Sequence, residues 1–481
     1  RMRFATEIVR RVREACGPDF IVIYRLSMLE LVPEGSNWDE IVTQAKAIEK
    51  AGATILNTGI GWHEARVPTI ATSVPRAVFA GVTAKLRTHV ALPLVATNRI
   101  NTPEVAEAVL ANGGADLVSM ARPLLADPQW VDKARAGKAH AINTCIACNQ
   151  ACLDHVFQNK PASCLVNPRA CVETELNYTA AASPKRIAVV GAGPAGMACA
   201  TVAAGRGHSV TLFEAADEIG GQFNLAKKIP GKEEFHETLR YFRHRIEETG
   251  VALRTSTHVD VEALKNFDAV VLASGVTPRR VHFAGSDHPK VVGYLQVLNG
   301  SVVVGRRVAI VGAGGIGFDV AEYLAHGPGD STTLDPQRWM VEWGIDPTFE
   351  SPGGLAVAQP EPPARDIWLL QRTSGKPGAR LGKTTGWIHR AALKAKQVRM
   401  LGGVEYLGVS DAGFAIRVDG AEHVLPVDHV VICAGQESRR DLLAELEAQG
   451  TPVHVVGGAD VAVELDAKRA IAQASRLAAT L

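Results

Sequence analysis

Over the first 140 positions, apolar residues alternate between two patterns. FIVIYRL (20–26), ATILNTGIG (53–61), LPLVATNRI (92–100) and ADLVSMARP (115–123) are short apolar runs bounded by turn residues, which predicts buried strands. The stretches between them read as helices. Positions 38–52 place Ile41, Ala45, Ile48 and Ala51 on one face, and 75–87 reads as a second helix. The third covers 102–113, with Thr102 as N-cap and Pro103 at its first position. An amphipathic helix opens the chain. Four β/α units are half of an eightfold β/α barrel, which takes about 250 residues. The other half is expected to precede Arg1.

A loop-rich connector follows, and the pattern changes at Lys185. KRIAVVGAGPAGMACATVAAGRGHSVTLFEA (185–215) reads as strand, glycine turn, helix, strand. GRRVAIVGAGGIGFDVAEYLA (305–325) repeats it. The Pro/Gly/Asp-rich stretch 326–364 predicts a surface excursion within the second nucleotide fold. DIWLLQRT (366–373), HVVICAG (429–435) and the strand–turn–helix pattern of 452–478 complete the set. The expected class is α/β: the C-terminal half of a (β/α)8 barrel, a cysteine segment, and two Rossmann-like dinucleotide-binding domains, one inserted in the other. The boundaries are 1–140 for the partial barrel and 141–183 for the cysteine segment. The first nucleotide domain takes 184–304 and 426–481, and the second takes 305–425.

Composition narrows the function. Among 481 residues, 51 Lys and Arg oppose 50 Asp and Glu, which argues against a polyanion-binding surface and so against a nucleic-acid partner. No apolar run is long enough to span a membrane and no secretory signal opens the chain, so a cytoplasmic location is expected. Five of the eight cysteines fall between Cys145 and Cys171, a clustering that suits metal or redox chemistry better than structural disulfides. Cys145, Cys148, Cys152 and Cys164 are spaced so that four thiolates can converge. The compact triplet with a distant fourth thiol favours a 4Fe-4S cluster, with zinc as the alternative. Cys171 reads as an ordinary buried or half-buried thiol, and Cys16, Cys199 and Cys433 as core residues.

In the first glycine motif, Gly191 permits the tight turn, Gly193 lets backbone approach a pyrophosphate, and Gly196 allows close packing of helix on strand. Glu214, 18 residues after Gly196, is placed to accept from a ribose hydroxyl. Gly312, Gly314 and Gly317 form the second motif. Its following strand ends in Gln371-Arg372 rather than an acid. Arg372, with Lys376 or Lys383, suits a 2′-phosphate and predicts NADPH over NADH. Gly220-Gly221-Gln222 and Gly457-Gly458-Ala459-Asp460 resemble further stations of two-dinucleotide flavoproteins. That resemblance implies FAD at the first fold, with Gly221, Gln222, Gly458 and Asp460 in its site.

Four expected strand ends line up on the barrel's catalytic side. Main-chain amides near Asn98-Arg99 and Ala121-Arg122 could hold an FMN phosphate, and ARPLLADP (121–128) looks like the end of an old-yellow-enzyme type of FMN barrel. NTGIGWHEARVPTIAT, NTCIACNQACLD, SCLVNPRAC and the text around Leu381–Arg390 resemble the bacterial 2,4-dienoyl-CoA reductase family. That family is related to trimethylamine dehydrogenase and the enoate reductases. The resemblance covers essentially the whole chain and implies FMN, a 4Fe-4S cluster, FAD and NADPH. By it, His63 is the active-site histidine and Arg25 lies near the flavin ring. The family's proton-donating tyrosine lies in the barrel half that this sequence does not contain.

The implied reaction passes electrons from NADPH through FAD, cluster and FMN to a 2,4-dienoyl-CoA, giving an enoyl-CoA for β-oxidation. The substrate partner is an acyl-CoA thioester, and the chain is expected to be a monomer or a small homo-oligomer. The alternatives are a related enone or enoate reductase, an amine dehydrogenase, or an NADPH–FAD–iron–sulfur electron-transfer module resembling glutamate synthase small subunits.

Overall fold

The computed structural model describes residues 2–62, 64–327, 329–462 and 466–481, and the chain divides into two compact units. The first contains Arg1–Leu124, Pro128–Ala139 and Ser331–Glu361. Its sheet is parallel, in the order β1 (Ile23–Leu29), β2 (Ile55–Ile60), β3 (Leu94–Ala96), β4 (Leu117–Val118). Parallel neighbours need a crossover, which helices Trp38–Lys50, Ala80–Leu86 and Pro103–Ala111 supply. Asn37 closes a capping box with Glu40, and Thr102 caps the third helix with Pro103 at its first turn. Leu26, Leu56 and Leu94 on the strands and Ile48, Val82 and Leu86 on the helices are all fully buried.

Three expectations change in this unit. The second helix begins at Ala80 rather than Pro75, because Ala77 takes a left-handed φ of 50° and its N–H bonds the Arg99 carbonyl. The third strand stops at Ala96, since Asn98 and Arg99 both turn left-handed. Ser331–Glu361, which the sequence sets inside the second nucleotide fold, packs in this unit instead. Trp339 is fully buried edge-on to Phe79, 6.0 Å between ring centroids. Leu31 N–H donates to Gly353 O, Gly353 N–H to Ser36 O, and Lys85 Nζ to Thr348 O. Asp346 organises the segment by accepting from the backbone N–H groups of Thr348, Glu350 and Ser351.

The second unit contains Leu125–Asp127, His140–Asp330 and Pro362–Leu481. One parallel sheet runs β19 (Val453–Val455), β8 (Ala269–Leu272), β5 (Arg186–Val190), β6 (Ser209–Phe213), β7 (Ala252–Arg254). A second runs β10 (Val291–Gly293), β17 (His429–Ile432), β11 (Arg307–Val311), β12 (Asp366–Leu370), β13 (Arg399–Leu401). An antiparallel meander, β14 (Glu405–Ser410), β15 (Gly413–Val418) and β16 (Ala421–Leu425), follows the second sheet, and β9 (Val276–Pro278) pairs with β18 (Gln436–Ser438).

The strand pairing crosses the borders set from the sequence. β10 lies before residue 305 and β17 after 426, yet both belong to the second sheet, where β17 hydrogen-bonds β10 on one side and β11 on the other. Helix Leu443–Ala448, β19 and helix Ala467–Ala478 return to the first fold, and Leu446 is fully buried in one core with Ala188, Val270 and Leu272. Ala474 and Ala478 of that helix are fully buried in the same core as Met197, Cys199 and Ala200 of helix Pro194–Gly205.

Candidate functional site

Each nucleotide fold carries its glycine motif at the end of a central strand. Gly191 follows β5 with φ 103°, and Gly312 follows β11 with φ 109°. A Cβ on Gly196 would sit 1.8 Å from the Gly191 carbonyl oxygen, and one on Gly317 would sit 1.8 Å from that of Gly312. Only glycine lets each helix start so close to its strand. Gly193 and Gly314 have open space where a Cβ would point, so their backbones are approachable. In the first fold Glu214 accepts from Ala192 N–H at 2.7 Å and Ala216 N–H at 2.9 Å, which fixes the carboxylate beside the turn. Gly221, at φ 51°, folds its chain against Gly193.

Both motifs open into one cavity of about 1300 Å³. Gly191, Gly193, Glu214, Gly221, Gln222, Gly312, Gly314, Arg372 and Gly458 line it. Gly196 and Gly317 stand behind the wall as packing positions. Asp460 does not line the cavity; its carboxylate accepts from Gln473 Nε2 at 2.7 Å. Arg372 is exposed beside Tyr406, whose phenol is pushed up to about 12 by burial, partly offset by the Arg372 charge. Lys376 and Arg380 share the Arg372 wall, while Lys383 is outside it.

Three lining residues escaped the sequence reading. Lys232 Nζ bonds both carboxylate oxygens of Asp319, at 2.6 and 2.7 Å, and His389 lies beside the pair. Burial, then the Lys232 charge, lowers His389 to about 4, so the imidazole is neutral at pH 7. The available signal was Asp319 itself, an acid two residues after Gly317 at the start of a largely apolar helix.

The cysteine segment packs on the first fold's core through Cys145, Ile146, Cys148, Cys164 and Leu165. Burial first, and then the Cys164, Cys145 and Cys152 charges, hold the Cys148 thiol well above its ordinary value. Burial and the neighbouring thiols likewise push Cys164 to about 12. The four thiols therefore lie within electrostatic reach of one another, and all are free of disulfides. Among the described residues no group of three or more His, Cys, Asp or Glu side chains is placed to hold a metal ion. Cys199 and Cys433 are buried as expected. Cys16 and Cys171 are exposed: the first ends a surface helix, and the second sits in a left-handed turn.

In the first unit, Arg25 on β1 lies against Gly59 of the paired strand, 3.2 Å from where a Cβ would stand. Asn98 accepts from the Thr97 hydroxyl and donates to Thr69 O. Arg99 is buried, its Nε on the Val74 carbonyl, so it ties down the loop between β2 and helix Ala80–Leu86. Arg122 begins the short helix Arg122–Ala126, and Ala121 immediately precedes it. His63 lies outside the described residues. Among the described residues no helix is long and apolar enough to cross a membrane.

Residues 1–141 match the NADH:flavin oxidoreductase / NADH oxidase family, and residues 185–469 match the pyridine nucleotide-disulphide oxidoreductase family. The chain belongs to the flavin-dependent NAD(P)H oxidoreductases that join these two domains. It is 35% identical over 467 residues to a metal reductase of Desulforamulus reducens, covering 95% of this chain and 68% of the relative. It is 26% identical to a cinnamate reductase of Clostridium sporogenes, covering 96% of this chain and 66% of that one. A solved 2-naphthoyl-CoA reductase in complex with 2-naphthoyl-CoA superposes with a TM-score of 0.88 at 27% identity. That match covers all of this chain and 68% of the other. The chain thus spans about two thirds of the length of these relatives.

Proposed function

We propose that this chain is the electron-entry and part of the catalytic portion of an iron–sulfur flavoprotein that uses NADPH to reduce a carbon–carbon double bond conjugated to a thioester carbonyl. A 2,4-dienoyl-CoA is the substrate proposed. The observation that carries the reading is the single cavity into which both glycine motifs open. Two dinucleotides held at opposite walls of one cavity can bring their redox rings together. The resemblance to a naphthoyl-CoA reductase and a cinnamate reductase supports a conjugated acyl substrate.

Specific residues would hold each of the proposed groups. Gly191, Gly193, Glu214, Gly221, Gln222 and Gly458 would hold FAD, and Gly312, Gly314 and Arg372 would hold NADPH. The open positions at Gly193 and Gly314 admit a pyrophosphate to the amides of the helix starts. Cys145, Cys148, Cys152 and Cys164 are a soft donor set suited to a 4Fe-4S cluster, and a bound metal would offset the cost of ionising the buried Cys148. Asn98, Arg99, Ala121 and Arg122 are the FMN-phosphate candidates and Arg25 the residue beside its ring. Bound flavins would supply the change from paired to single electrons and back. The protein's own part is to orient the dinucleotides, exclude water and, at His63, relay a proton to the substrate.

Purified under anaerobic conditions, the chain is expected to carry FAD and about four irons. The chain joined to the remaining third of its relatives' length is expected to oxidise NADPH on addition of a dienoyl-CoA. Absence of that oxidation, with flavin and iron in place, rejects the substrate. Activity with cinnamate instead moves the assignment to an enoate reductase. Dye reduction alone moves it to an electron-transfer module.

A further inference from the structure

The excursion Ser331–Glu361 leaves the second nucleotide fold after helix Gly315–Ala325 and returns before β12, yet it packs in the first unit. It lies against the loop beyond the C-terminus of β1, the end of a barrel strand where active sites are built. Leu31 N–H donates to Gly353 O at 2.9 Å and Gly353 N–H to Ser36 O at 3.0 Å, so Gly353 is laced into that loop. Gly353 and Gly354 take left-handed φ values of 66° and 70°. A Cβ on Gly353 would stand 2.2 Å from Val32 O, and one on Gly354 would stand 2.7 Å from Leu29 Cδ2. Only glycine permits so close an approach in that conformation.

Asp346 holds the two glycines in place. Its N–H donates to Gly354 O at 3.0 Å. Its buried carboxylate accepts from the N–H groups of Thr348, Glu350 and Ser351 and from the Thr348 hydroxyl. Burial raises the Asp346 carboxyl, but the hydrogen bonds from Ser351 and Thr348 outweigh it and hold the group well below its ordinary value, so it stays an acceptor. The contact continues into the sheet. Leu29 O accepts from Gly61 N–H at 2.7 Å, which joins the end of β1 to the chain leaving β2. Gly61 stands two residues before His63 in the chain.

A reaction face is effective only when its loops are held in one geometry. We propose that Asp346, Gly353 and Gly354 are positioning residues for the barrel's reaction face, fixing the loop after β1 and, through Leu29, the turn from which the His63 segment departs. This rests on the reading that the face takes FMN and that His63 acts there.

The test follows hydrogen exchange by mass spectrometry on the full chain carrying Asp346→Ala, Asp346→Asn, Gly354→Ala or Glu361→Ala. Asp346→Ala is expected to speed exchange about tenfold or more in peptides 29–36 and 58–66, with 38–50 and 102–118 of the same unit unchanged. Asp346→Asn, which keeps an acceptor, should give a smaller change in the same peptides. Gly354→Ala, whose methyl meets Leu29, should act like Asp346→Ala. Glu361→Ala, which removes the excursion's ion pair to Arg338, should change neither peptide. Titration with FMN should show binding about tenfold weaker in Asp346→Ala, with FAD content unchanged. Earlier melting with peptides 29–36 and 58–66 no more affected than the rest means that the excursion only stabilises the unit, and overturns the proposal. Should the wild-type chain bind no FMN, the cofactor reading fails, while the exchange pattern still decides whether the excursion positions the loops.

Discussion

Asp154 accepts two hydrogen bonds from Thr384, at 2.8 Å from the backbone N–H and 2.6 Å from the hydroxyl. The carboxylate is buried two residues after Cys152, and Thr384 precedes helix Gly386–Ala395 of the second nucleotide fold. One side chain thus joins the cysteine segment to the segment that carries His389. Removing it strands two half-buried donors. Asp154→Ala is expected to cost about 2–3 kcal/mol in urea unfolding, and Asp154→Asn, which keeps an acceptor, less.

Arg372 sits exposed where the strand of the second fold would otherwise end in an acid. If its guanidinium grips a 2′-phosphate, Arg372→Ala should raise the KM for NADPH about tenfold or more and leave that for NADH nearly unchanged. Dye-reduction kinetics with both cofactors check this. A parallel loss with both removes the phosphate role.

The four clustered thiols predict a different split. Cys148→Ala should lose most of the bound iron and the cluster's visible absorbance, while the FAD released on denaturation stays at the wild-type level. Cys171→Ala, at an exposed turn, should change neither. Iron analysis and the spectrum of the released flavin measure both.

His389 links pH to stability. Its folded value is lowered to about 4 from the ordinary 6.5, so the unfolded chain binds more protons between those values. Stability from the neutral imidazole is complete above pH 6.5, declines as pH falls, and is gone below about 4. The loss is at most about 3 kcal/mol. Thermal unfolding from pH 8 to 4 should show a shallower acid slope for His389→Phe than for the wild type. Equal slopes refute the assignment.

Much of the site was legible from local pattern. Gly191, Gly196, Gly312 and Gly317 answer a backbone need that no other residue meets, so their positions follow from chemistry within seven residues. Glu214 was legible because an acid at the end of the next strand returns to the turn. Lys232 and Asp319 were not, since 87 residues separate them and nothing local signals the pairing. Asp460 shows the converse: a motif resemblance placed it at the cavity, and Gln473 holds its carboxylate in a contact outside the cavity's lining.

By itself, the sequence determined the elements that depend on neighbours in the chain. These are the strand–glycine–helix units, the Asn37 and Thr102 caps, and the four-strand pattern of the first 140 residues. Tertiary structure alone decided where chain-distant segments pair. β10 and β17 joined the second sheet because each finds a strand edge to bond, a choice that hydrophobicity does not encode. Ser331–Glu361 joined the first unit because Trp339 needed an apolar partner, and Phe79, 260 residues earlier in the chain, supplies it.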